Sequence, residues 1–183
     1  MRCSRATALG VVVAAASLAL ACAEVNVSAR PGLTLSTSRI VVVPFGCGVA
    51  GVGEVVADSI TERLVEDGVR VIGWMQFAAT GAQSGLQIIP GSSREELARV
   101  AEAASVDFIL AGNVSASMGA SGFLYGGIGG GSAQTFINGA SAQLIDVRTG
   151  EVVVAVSYNP AEFTERPADI GERIAENIIK KTR

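Results

Sequence analysis

The apolar positions of this chain change period several times, and each change marks an element. Ile40 to Val43 is a run of β-branched residues without polar alternation, as expected of a strand covered on both faces. Beyond Pro44 and a glycine-rich bend, Val56, Ala57, Ile60 and Leu64 recur at helical spacing, while Glu54, Asp58, Glu62, Arg63, Glu66 and Asp67 take most of the remaining positions. Gly68 stands where a left-handed helix cap is expected, and Val69 to Ile72 opens a second strand. The pattern predicts a β-α-β unit, with a right-handed crossover expected.

From Trp74 to Gly91 the periodicity lapses among Gly81, Gly85, Pro90 and Gly91, which predicts a long connection with Leu86 to Ile89 as a short extra strand. Ser93-Arg94-Glu95-Glu96 is a capping-box pattern, and Leu97, Val100, Ala101 and Ala104 follow it at helical spacing. A third main strand runs from Val106 towards Ser115. Thr135 to Val147, the turn Arg148 to Glu151, and Val152 to Tyr158 read as an antiparallel hairpin. Pro167 suits a first helical position, Ile170, Ile174 and Ile178 recur every four residues, and Lys180, Lys181 and Arg183 suit the negative end of that helix. The predicted fold is a single α/β domain, β-α-β-α-β followed by an antiparallel hairpin and a C-terminal helix, with helices packed on a mixed sheet.

The start of the chain sets the compartment. Arg2 and Arg5, an apolar run from Ala6 through Leu20 and small closing residues have the three parts of a bacterial secretory signal over residues 1–21. Ala19-Leu20-Ala21-Cys22 resembles a lipobox, which would make Cys22 the lipidated first residue of the mature protein; Ala19-Leu20-Ala21 also serves as an ordinary cleavage site. A signal ending on cysteine favours lipidation. At about 0.8 kcal/mol per buried methylene, several acyl chains anchor a protein essentially permanently. Ala23 rather than an aspartate follows, which by resemblance to bacterial lipoproteins favours the outer membrane over other destinations. Residues 22–38 are then the lipidated N-terminus and a polar tether containing Pro31 and Gly32, and residues 39–183 the folded domain.

Composition narrows the chemistry. Losing Arg2 and Arg5 with the signal takes the net charge from −3 to −5, which argues against nucleic acid as a partner. The chain has no histidine, which excludes histidine-based triads and histidine-ligated zinc. Cys3 leaves with the signal and Cys22 is the anchor, so Cys47 has no disulfide partner; it reads as a small residue among glycines or as a reactive thiol. Gly46, Gly48 and Gly51 match the spacing of dinucleotide-binding loops, but the second strand ends without the acid that would hold a ribose, so a plain strand-to-helix loop is the better reading. Asp146 and Glu151 flank a hairpin turn, where paired acids are usually solvated turn formers. No catalytic, cofactor or metal residues are assigned.

Gly119 to Gly131 is the least ordinary segment, with Phe123, Leu124, Tyr125 and Ile128 set among glycines. It reads either as a surface loop or as an interaction loop that orders against a partner subunit or lipid.

The order of these features resembles the CsgG-like family of bacterial lipoproteins, which includes the curli secretion channel, and its relatives in fold, the LpoB-type activators of penicillin-binding proteins and the FlgO-type lipoproteins. The matching pieces are Cys22, the opening strand with Val42 to Phe45, the helix Ala57 to Gly68, Ala101 to Ser115 and Leu144 to Val153. The resemblance implies an outer-membrane-anchored periplasmic lipoprotein, bound to lipid through Cys22, that is not an enzyme. It would act by contact with a periplasmic or outer-membrane protein partner, or as a homo-oligomer, in cell-envelope biogenesis or secretion. A subunit of a curli-type secretion pore is the alternative. The family's barrel needs two pairs of alternating membrane strands, and residues 120–131 could stand in for one at most.

Overall fold

A computed structural model describes residues 24–89, 92–121, 132–160 and 166–183. The elements run β1 (Glu24–Ala29), β2 (Arg39–Val42), β3 (Gly46–Cys47), α1 (Val52–Glu66), β4 (Arg70–Ile72), α2 (Trp74–Gln83), α3 (Arg94–Ala103), β5 (Phe108–Ser121), β6 (Ser132–Asp146), β7 (Val152–Asn159) and α4 (Pro167–Lys181). One mixed sheet has the order β1-β7-β6-β5-β2-β4, with β3 pairing β5 beyond the end of β2. The β2, β4 and β5 strands are parallel, as the β-α-β reading requires, and β5, β6, β7 and β1 are successively antiparallel.

Helices cover both faces where the sheet is parallel. Ile40 and Val42 join the core beneath α1 and α4, while Val41 and Val43 join the core beneath α2 and α3. The uninterrupted apolar run of β2 follows from this double burial. On the antiparallel side α4 packs on the sheet over Val25, Val27, Val154, Val156 and Tyr158. The opposite face there carries exposed Glu24, Asn26, Ser28, Ser141, Gln143, Ser157 and Asn159.

Three expectations need correction. The polar tether over residues 22–38 does not extend through its described part: Glu24–Ala29 is an edge strand paired with β7, and Leu35 is 2% exposed in the core. Val25, Val27 and Ala29 alternate with polar residues, and that period of two buries one row against the core containing α4. Trp74 to Gln83 is a helix, not part of a long connection. Its buried positions are Phe77 and Gly81; a Cβ on Gly81 would lie 2.9 Å from Ile88 and 3.1 Å from the Leu86 carbonyl, so the glycine permits close packing instead of breaking the helix. Leu86 to Ile89 forms no strand; Ile88 is buried beside α2 and α3.

The remaining elements follow the sequence pattern. Gly68 takes a φ of 82° behind α1. Ser93 and Glu96 form the reciprocal capping box of α3, the Ser93 amide donating to Glu96 at 2.9 Å and the Glu96 amide to Ser93 at 3.3 Å. Both β5 and β6 are longer than expected: β5 runs on past Ser115 to Ser121, and β6 opens at Ser132 rather than Thr135.

Candidate interaction surface

The sequence-predicted interaction residues flank the described structure. Cys22 and the loop residues Phe123, Leu124, Tyr125 and Ile128 lie outside the described residues, but both of their attachment points are defined. Glu24, two residues after Cys22, already pairs with Asn159, and Ser121 pairs with Ser132 where the loop departs.

These two points lie at the same end of the sheet. Tyr158 pairs with Ala140, and Gly139 with Ser115, so the start of β1 is level with the bulge between Ser115 and Ala116. Beyond that level β5 and β6 continue as a two-stranded stem in which Ala116 pairs with Ile137, Ser117 with Phe136 and Met118 with Thr135. Ile137 is fully buried and Phe136 packs beside Gly119, whereas Met118 is 65% exposed.

The glycine bend serves packing. Gly46 and Cys47 pair with Asn113 and Val114, Gly51 occupies the N-cap of α1 with a φ of 81°, and Gly53 lets that helix start against the Phe45 carbonyl. Cys47 is half-buried, and its sulfur accepts from the Val49 amide at 3.5 Å. Asp146 and Glu151 are engaged separately. The buried Asp146 accepts from the Arg148 and Thr149 amides at 2.9 and 3.3 Å and closes the turn, while Glu151 pairs with Arg30 at the end of β1. The turn role is the expected one, but Asp146 is buried rather than solvated, because its carboxylate turns inward onto the turn amides.

Two polar surfaces appear that the sequence did not single out. Between α1 and α4, Ser59, Glu62, Glu66, Glu172 and Glu176 surround Arg63, whose guanidinium lies 3.1 Å from Glu66 and 3.6 Å from Glu176. On the other face, a shallow groove of about 360 Å³ is lined in part by Pro44, Gly46, Arg94, Asn113, Ser141 and Gln143, with Arg94 donating to Gln143 at 2.6 Å. Neither could be read from spacing, because each joins residues more than 45 positions apart.

The perturbed acids are helix-start groups. Hydrogen bonds from the Ser93 backbone and side chain hold Glu96 below its usual carboxylate range, and hydrogen bonds from Arg166 do the same for Asp169. Among the described residues no group of three or more acidic or cysteine side chains is placed to hold a metal, and no helix is long and apolar enough to cross a membrane.

No family model matches the chain. No curated protein matches it. Solved structures do. The PelC dodecamer from Paraburkholderia phytofirmans matches at 16% identity with a TM-score of 0.56, covering 88% of this chain and 99% of that one. The LpoB C-terminal domain from Escherichia coli matches at 16% identity and a TM-score of 0.52, covering 72% of this chain and 87% of its own. Its counterpart from Salmonella enterica matches at 15% identity and a TM-score of 0.50, over 70% and 85%. This chain has an LpoB-like fold. At such identities the likeness concerns the fold alone.

Proposed function

We propose that this chain is a periplasmic lipoprotein anchored to the outer membrane through Cys22, acting without catalysis through protein–protein contact in cell-envelope biogenesis or secretion. The observation that carries the reading is a lipobox-like cysteine immediately ahead of a domain with the LpoB fold. Self-association is one form the contact can take, since the PelC neighbour is a dodecamer and, among the described residues, β1 is an edge strand of the sheet. A curli-type pore draws no support from these neighbours.

The test is the molar mass of full-length protein extracted from membranes in mild detergent, with a Cys22→Ala control. Release of Cys22→Ala to the soluble fraction is expected. Retention of that variant in the membrane would overturn the anchor. A particle of defined, many-fold mass would make the partner a second copy, and a monomer would direct the search to a different protein.

A further inference from the structure

The geometry points to the β5–β6 stem as a surface that lies against the lipid bilayer beside the anchor, with the opposite end of the sheet facing away from the membrane. This inference rests on Cys22 being the lipidation site. Three observations carry it.

The first is the length of the link. Only Ala23 separates Cys22 from Glu24, and Glu24 is already fixed in the sheet by its pairing with Asn159. Two residue steps reach at most about 7 Å. The lipid therefore holds the end of the sheet close to the bilayer, with no slack for the domain to stand off.

The second is direction. The stem continues past the level of Glu24 on that same side, by Ala116 to Ser121 on β5. Six residues at about 3.4 Å each advance about 20 Å. Three strand steps separate β1 from β5, and about 20–25° of twist per step inclines the stem by roughly 65° to β1. The advance along β1 is then about 8 Å, comparable with the reach of the link, so the stem slants across the lipid interface. Its described length on β5 is below the roughly 9–11 residues a membrane-spanning strand needs.

The third is charge. From Phe108 to Ile145 no residue is charged, in a chain whose charged fraction is 17%. Bringing the stem against lipid therefore desolvates no ionised side chain, and exposed Met118 offers apolar surface. Outside the stem, charged groups stand at both ends of the domain: Glu24 and the Arg166–Asp169 pair on the side of Cys22, and Arg30 with Glu151, Arg183 with Asp67 and Arg148 by Asp146 on the other. Such charged groups are suited to water.

The experiment uses full-length protein carrying Cys47→Ser and one probe cysteine, Met118→Cys or Thr149→Cys, labelled with a polarity-sensitive fluorophore. The protein is reconstituted in phosphatidylethanolamine–phosphatidylglycerol vesicles containing nitroxide lipids. At position 118 shallow nitroxides should quench at least threefold more than at position 149, and more than deep nitroxides do. A six-residue glycine–serine insertion between Ala23 and Glu24 should leave vesicle flotation unchanged and remove most of that difference. Equal quenching at both positions in floating vesicles overturns the orientation while leaving the anchor standing. Quenching at 118 that survives the insertion overturns the role of the short link. Failure to float overturns the Cys22 reading, and this inference with it.

Discussion

Gly171→Ala tests the packing of α1 on α4 because local and tertiary effects have opposite signs. Gly171 is buried inside α4, and alanine in a helix interior is favoured over glycine by about 1 kcal/mol. A Cβ at this position would lie 2.6 Å from the Val56 carbonyl oxygen, 2.8 Å from the Ser59 Cβ and 3.3 Å from the Ile60 amide nitrogen, where ordinary contact starts near 3.4 Å. Two of the three atoms are backbone of α1, so no side chain can rotate away and the helices must separate by about 0.8 Å locally. Overpacking of this kind costs about 1–3 kcal/mol or more, and backbone contacts place this case at the upper end. The net expectation is a loss of about 1–2 kcal/mol, or roughly 3–7 °C in Tm for a domain of this size. Urea unfolding followed by circular dichroism measures it, with Asn177→Ala on the same helix as a control expected to change stability by less than about 0.5 kcal/mol. Stabilisation of Gly171→Ala by about 1 kcal/mol would refute the close α1–α4 contact, because only helix propensity would then be acting.

Val27→Asp should cost about 2 kcal/mol or more by chemical denaturation, since it places a carboxylate against the core containing α4, whereas a residue in a free tether would show no effect. Ser93→Ala should lower stability by about 1 kcal/mol through loss of the α3 cap, and Ser93→Asp should restore most of it. Asp146→Ala should cost about 1–2 kcal/mol by removing the acceptor of two turn amides, with Asp146→Asn closer to wild type in the same urea titration. Arg166 depresses the pKa of Asp169 in the folded state, so this carboxylate stabilises the fold above its unfolded pKa of about 3.9 and loses that contribution as pH falls through its lower folded value. The stability gap between wild type and Asp169→Asn should therefore be constant from pH 7 to about 5 and close below about pH 4, as read from urea midpoints; a gap that widens on acidification would contradict the assignment.

Much of the fold was legible because local rules carry it. A four-residue β-branched run, the apolar rows of α1 and α4, the Ser93–Glu96 box and the Gly68 cap each encode their element within about one helical turn of sequence. What failed locally failed for a tertiary reason. Gly81 reads locally as a breaker but is a buried contact of α2, and the value of a missing side chain depends on Ile88, Leu86 and Val100 arriving beside it. The β1 strand reads as tether because its buried row is only Val25, Val27 and Ala29, and three half-buried residues mean little until β7 and α4 supply the other side. The sequence alone determined the uncharged run from Phe108 to Ile145 and the order of most elements, both of which reside in adjacent residues. Only the tertiary structure decided that β1 closes onto β7 and that the stem leaves the sheet at the end where β1 begins, because the β1–β7 register joins residues more than a hundred positions apart and their direction exists only once the sheet is assembled.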